Sequence, residues 1–248
     1  MIPTKKNIAK VKAGKRSVKV KVHQRISNTF IENAIQKNNF GALKTIYYLS
    51  TVLSDEDIVN KKESEIVTVK IDKREMLKFT ELTLDTIIKS SKQMQETSIT
   101  FFDEEEGIIE GMSLLPRYYF VPNKNTIELD LYVRIAKMVI AVKRDYTNLN
   151  IKSLMQVRNA HSLRFLALLN KMKQDEAPLS ESRTLTLEEL NLFFGTNYKS
   201  WSVIELKIIK PIQEELDSFS KLSFDYQSTF EKLGVGRPKF KEVMITLK

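Results

Sequence analysis

The sequence predicts an α+β chain in which one small helix-and-strand unit is used twice behind a basic N-terminal arm. Three observations predict it. The apolar pattern alternates between the 3.6-residue period of helices and the two-residue period of strands. The order helix, strand, helix, helix, strand, turn, strand can be read once before residue 150 and again after it. Finally, charge is segregated: nine of the 40 basic residues and none of the 31 acidic ones lie in positions 1–25, so the remainder is close to neutral.

The arm, residues 1–25, is rich in Lys and poor in bulky apolar side chains, a composition that steers a chain towards polyphosphate. Lys12, Lys15, Arg16, Lys19 and Lys21 are its candidate DNA contacts; a flexible solubilising tail is the plainer reading. The first unit is assigned to 26–148. Ser27 is expected to cap a helix bearing Phe30, Ile31, Ala34 and Ile35, and a second helix runs from Gly41 to Ser54. Residues 65–71 alternate and end at Asp72, a strand feeding a helix over 73–79. A turn at 80–82 leads to a helix from Leu84 to Glu96. Three extended runs follow, at 97–102, 108–121 and 126–133, the first two joined by the acidic turn Asp103–Gly107. A helix from Arg134 to Arg144 ends the unit, and the polar stretch Asp145–Asn150 is the expected boundary.

The second unit, 149–248, compresses the same order. A helix at 162–173 and a polar loop at 174–183 precede a strand at 184–186. Thr186-Leu187-Glu188-Glu189 reads as a capping box whose helix stops at Gly195. A long helix follows from Tyr198 to about Phe219, which Pro211 should kink or break. Strands at 221–230 and 239–247 close around Leu233-Gly234-Val235-Gly236. This is the winged-helix order, twice, with the short inter-helix turn that helix-turn-helix packing requires.

In each copy the second helix of the pair is a candidate reading helix. Over 199–216, Trp201, Ile204, Ile208, Ile209 and Ile212 share one face, with Lys199, Lys207 and Lys210 opposite. Ser200 and Ser202 join these lysines as candidate contacts, and Glu205 falls inside the apolar arc. In the first unit Thr86, Lys89, Lys92 and Gln93 oppose Leu84, Ile87, Ile88, Ser91 and Met94. Lys and Gln suit base edges as well as phosphates, although either helix alone could be an amphipathic core helix with solvated lysines. The wing of the second unit carries Lys232, Arg237, Lys239 and Lys241. The corresponding turn of the first unit is read as Asp103-Glu104-Glu105-Glu106, whose carboxylates would repel phosphodiesters, so the second unit should do most of the reading.

Other chemistry finds no residues to carry it. There is no cysteine, hence no disulfide or thiolate metal site. No G-x-x-x-x-G-K-[ST] loop occurs, and His23 and His161 are too far apart in sequence to form a closely spaced metal pair. A metal at 103–106 is weaker than a solvated turn. No membrane-length apolar run or signal peptide is visible, so a cytoplasmic chain without cofactor or enzymatic activity is expected.

At Arg183-Thr184-Leu185-Thr186-Leu187-Glu188-Glu189-Leu190, Gly195, Tyr198-Lys199-Ser200-Trp201, Lys207, Pro211 and Glu215, followed by a basic hairpin, the chain resembles the iteron-binding plasmid replication initiators of the Rep type. The helix from Leu163 to Leu169 fits as well, and in the first half Gly41–Leu49, 97–133 and Arg134–Ala141 agree in order and spacing. The resemblance spans roughly residues 20–248. It implies tandem winged helices that bind direct-repeat double-stranded DNA at an origin, homodimers through the first domain that repress their own promoter, and recruitment of host DnaA and the replicative helicase. Lys207 carries over from the family's basic helix; at Glu205 and Leu206 the family often has further basic residues. The rival readings are a tandem winged-helix transcriptional regulator of plasmid or phage origin and a protein-interaction adaptor with an incidental basic tail.

Overall fold

The computed structural model describes residues 23–27, 40–103, 108–121, 123–140, 146–174, 182–232 and 237–248. The arm contacts expected at Lys12, Lys15, Arg16, Lys19 and Lys21 lie outside these residues.

Two sheets of identical topology organise the chain. In the first unit, β1 (His23–Ser27) and α1 (Phe40–Val52) precede β2 (Ile66–Asp72), α2 (Lys73–Thr80) and α3 (Leu84–Glu96). Then come β3 (Ser98–Asp103), β4 (Ile108–Ser113), β5 (Arg117–Phe120), β6 (Thr126–Tyr132) and α4 (Val133–Ile140). After β7 (Tyr146–Asn150) and α5 (Ile151–Gln156), the second unit contains α6 (Ala160–Gln174), β8 (Ser182–Leu185) and α7 (Leu187–Phe194). Its long helix is α8 (Trp201–Ile204), a π-helical turn (Glu205–Ile209) and α9 (Lys210–Phe219), closed by β9 (Phe224–Glu231) and β10 (Lys239–Leu247). One antiparallel sheet has the order β2-β6-β5 and the other β8-β10-β9. In both, the strand that leads into the paired helices pairs with the last strand, and that last strand forms a hairpin with its predecessor.

Local chemistry explains why the paired helices start and stop at the same places in both units. β2 ends on Asp72, whose carboxylate accepts the Glu75 N–H at 3.0 Å and opens α2. In the second unit Thr186 does this as a capping box: its hydroxyl accepts the Glu189 N–H at 3.3 Å, and Glu189 accepts the Thr186 N–H at 2.8 Å. That backbone bond is the main reason the Glu189 carboxyl titrates below its ordinary range. Both first helices terminate in the left-handed region, at Glu81 (φ 56°) and Gly195 (φ 66°). Gly195 adopts it without a Cβ penalty. Thr83 then caps α3 by accepting the Thr86 N–H at 3.2 Å.

The inward faces form a continuous core. In the second unit Phe165 of α6 packs on Phe224 at 4.6 Å and Phe194 at 5.9 Å, over Ile204, Ile208, Ile209, Ile212 and Leu216. In the first, α1 lies against α3 closely enough that a Cβ at Gly41 would collide with Ser90 Oγ.

Three expectations are corrected. Ser27 does not cap a helix; it ends β1 and pairs with Tyr146. The remainder of that expected helix, Phe30 to Ile35, lies outside the described residues. The polar boundary at 145–150 is β7 from Tyr146 onward, antiparallel to β1, with Ile26 and Leu149 both buried. Nothing in either segment signals the other, because the partner strand is supplied by remote chain. The same pairing takes residues 23–25 out of the arm, and a cut between 148 and 149 runs through β7. Third, the long helix starts at Trp201, so Lys199 precedes it. Pro211, expected to kink or break the long helix, leaves it continuous, with a π-helical turn directly before it. It cannot donate to the preceding turn, and the π-helical turn just before it lets Lys210 N–H reach Glu205 O instead, which absorbs the misfit.

The repeat also pairs the turns differently from the sequence reading. The first-unit equivalent of the β9–β10 wing is the β5–β6 hairpin, with its turn at 121–125. The acidic turn joins β3 and β4, a separate two-stranded ribbon added to the unit. An extra hairpin of strand-like sequence is indistinguishable from the wing until the pairing is known.

Candidate nucleic-acid interface

In the second unit, the face opposite the isoleucines is open to solvent. Lys199, Ser200, Ser202, Lys207 and Lys210 are all exposed, while Trp201, Ile204, Ile208, Ile209 and Ile212 are buried. All five expected contacts are therefore open to solvent, Lys199 and Ser200 just before the helix and the other three on it. They are not equivalent. Lys207 Nζ lies 5.6 Å from the centre of the Tyr198 ring, which holds it near the start of the helix. Lys210 Nζ is 3.6 Å from Glu205 Oε1. Glu205 also accepts the Tyr226 hydroxyl at 2.9 Å, so this carboxylate in the apolar arc joins the reading helix to β9. Burial first, and that acceptor second, push the Tyr226 hydroxyl up to about 12.

The turn before the helix is held by a side chain that periodicity did not single out. Asn191 Oδ1 accepts both the Tyr198 N–H and the Thr196 hydroxyl at 2.8 Å, and Asn191 Nδ2 donates to Tyr198 O at 2.8 Å. Arg164, buried on α6, donates from Nη1 to Phe194 O at 2.9 Å and satisfies the C-terminus of α7. Both are polar residues in helices, where sequence gives no clue that a side chain turns back onto backbone.

The wing is fixed to the same helix by aromatic rings. Trp201 stacks on Phe240 of β10 at 4.8 Å with an interplanar angle of 5°, and Phe240 meets Phe230 edge-on at 5.9 Å. Lys232, Arg237, Lys239 and Lys241 are exposed around this stack. The pairing slips between Phe240 and Glu242, a bulge that re-aims Lys241. The glycines of the turn, Gly234 and Gly236, lie outside the described residues.

In the first unit Lys89 and Lys92 are exposed on α3, whereas Thr86 and Gln93 are half-buried. Thr86 shares a hydroxyl hydrogen bond with the cap, Thr83, at 2.8 Å. The wing missed by the sequence reading carries exposed Lys124. Its base is latched to α2: Asn125 donates to Asp72 at 2.6 Å, and the Arg74 N–H donates to Asn125 Oδ1 at 3.2 Å.

Among the described residues no group of three or more His, Asp or Glu side chains is placed to hold an ion, and the acidic turn 104–107 lies outside them. His161 sits edge-on to Phe194 at 5.3 Å, and burial, with Arg164 nearby, lowers its pKa. That is a packing role. No described helix is long and apolar enough to cross a membrane.

Comparison with known proteins agrees with the fold. Residues 23–170 match the family described as initiator replication protein, WH1. The fold is similar to the crystal structure of Pi initiator protein in complex with iteron DNA, with a TM-score of 0.65 at 13% identity. The alignment covers 92% of this chain and 99% of that one, so the likeness extends over both winged helices. No curated protein sequence matches the chain.

Proposed function

Because the chain belongs to the initiator replication protein family, we propose that it starts plasmid replication by binding direct-repeat (iteron) double-stranded DNA at an origin. The observation that carries this reading is the open row of Lys199, Ser200, Ser202, Lys207 and Lys210 above the buried isoleucines of the helix that follows a helix-turn. The second winged helix, from about residue 149, does most of the reading, and its wing lysines and Arg237 grip the flanking phosphates. The first, from about residue 26 to 148, adds Lys89, Lys92 and Lys124, while Thr86 and Gln93 lie at the edge of its helix. The solved complex of the Pi initiator with iteron DNA supports the assignment.

The chain acts by binding energy, without bond chemistry or a cofactor. As a monomer it marks and helps open the origin; as a homodimer through the first domain it represses its own promoter. Host DnaA and the replicative helicase are its further partners, and its place is the bacterial cytoplasm, on the plasmid.

Fluorescence anisotropy at physiological salt tests the reading. The probes are a duplex carrying one direct repeat from the DNA flanking the gene and a scrambled duplex of equal composition. Binding should favour the repeat by about a thousandfold or more; equal affinity would refute sequence reading.

A further inference from the structure

We propose that Leu206 determines part of the target sequence by covering the 5-methyl group of a thymine in the major groove. The inference rests on the reading above, in which the helix starting at Trp201 enters the duplex.

Leu206 is 67% exposed although it is a leucine in an ordered helix. Exposure alone decides nothing, since Leu192 on α7 is equally exposed at 67% and single surface leucines are common. Position distinguishes them. Leu206 lies on the side opposite Ile204 and Ile208, one turn after exposed Ser202 and one turn before exposed Lys210, with Lys207 beside it. It is thus an apolar residue within the row of candidate contacts.

The charge along this helix shows which part can enter a groove. Lys199 just before it and Lys207 and Lys210 in its N-terminal half are exposed, and Glu214 and Asp217 are exposed in its C-terminal half. This order is the reverse of what the helix dipole favours, and it leaves only the N-terminal half able to approach phosphates. In helix-turn-helix proteins that half contacts base edges. A leucine there has no donor or acceptor with which to read a hydrogen-bonding edge. The methyl group that a base presents in the major groove belongs to thymine, and an apolar side chain is its complement. Facing cytosine instead, Leu206 would cover an amino donor and leave it unpaired, which penalises the wrong base.

Selection from a randomised duplex library with the full-length protein supplies the probe. Each thymine of the recovered site is then replaced singly by uracil, which removes only the methyl group. Wild-type protein should lose about fourfold in affinity at one or two positions, the factor that burial of a methyl group confers. L206A should bind thymine and uracil alike at those positions, while L192A keeps the wild-type difference. Uracil sensitivity that persists in L206A, or its absence in the wild type, overturns the inference and leaves sequence reading intact. Failure of the library to converge on any sequence defeats the reading itself and the inference with it.

Discussion

Glu205 sits in the apolar arc of the reading helix because its partners are there. The Tyr226 hydroxyl and the Lys210 ammonium converge on its Oε1 at 2.9 and 3.6 Å, which offsets part of the desolvation of a half-buried carboxylate. The pair also occupies one of the lysines proposed to face DNA. E205Q keeps the shape and removes the charge, so Lys210 becomes available to phosphate. Non-specific affinity should rise and the slope of log K against log salt should steepen by about 0.9, the contribution of one more neutralised phosphate. A slope unchanged in salt titrations would show that Lys210 already reaches DNA. His161 gives a second prediction at this scale. Its folded pKa lies below the ordinary value of 6.5, so the unfolded chain takes up the proton first. Stability is therefore full above about pH 6.5 and falls as pH drops towards the folded value, with a slope of at most about 1.4 kcal/mol per unit from this group. H161L should remove that component, visible as a smaller difference between urea midpoints at about pH 7.5 and pH 5.5 than in the wild type.

At the scale of elements, the helix-turn-helix of the second unit is set by Asn191, which closes the turn through three side-chain hydrogen bonds. N191A leaves the Tyr198 N–H and carbonyl without these partners and should destabilise the protein by about 1–3 kcal/mol. Because the turn aims α8, discrimination between repeat and scrambled duplex should fall further than non-specific binding does; equal falls in competition binding would confine Asn191 to stability. The paired helices were legible in the sequence because their signals are local: Thr186 opening a capping box, Gly195 as a stop, isoleucines at helical spacing. The exposed lysines followed from the same periodicity. What was not legible depends on remote chain. The β1–β7 pairing joins segments from opposite ends of the first unit, and neither has a strand signal strong enough to stand alone. The wing of the first unit was assigned to the acidic turn because alternation marks strands without saying which ones pair; only the β2-β6-β5 order places it at Lys124. The π-helical turn before Pro211 shows the other side of this: proline announced a misfit, and the form of its relief depended on packing of Ile208 and Ile209 below.

Across the whole molecule, a buried lysine ties the first unit to the segment that leads into the second. Lys44 of α1, 2% exposed, donates to Thr80 O at 3.1 Å and to Met155 O at 2.6 Å, and burial lowers its pKa. The Arg158 N–H donates to Glu215 at 2.6 Å beside a cleft of about 440 Å³ lined by Glu81, Gln156, Phe219 and their neighbours. On the proposed reading, α3 and the helix from Trp201 engage one duplex in a set register. Affinity without register is a matter of charge, and here the sequence divides the two tasks: nine basic residues lie in positions 1–25, while the rest of the chain is close to neutral. Deleting residues 1–21 removes Lys5, Lys6, Lys10, Lys12, Lys15, Arg16, Lys19 and Lys21 and leaves β1 and both helix-turn-helices in place. Every phosphate that the arm no longer neutralises lowers the slope of log K against log salt by about 0.9, so the truncated chain should show a slope smaller by several units on any duplex. The ratio of repeat to scrambled affinity should stay within about threefold, since phosphate contacts carry no sequence information directly. A slope that does not move would mean the arm never touches DNA, and a collapse of the ratio would place base contacts in the arm rather than on the helices.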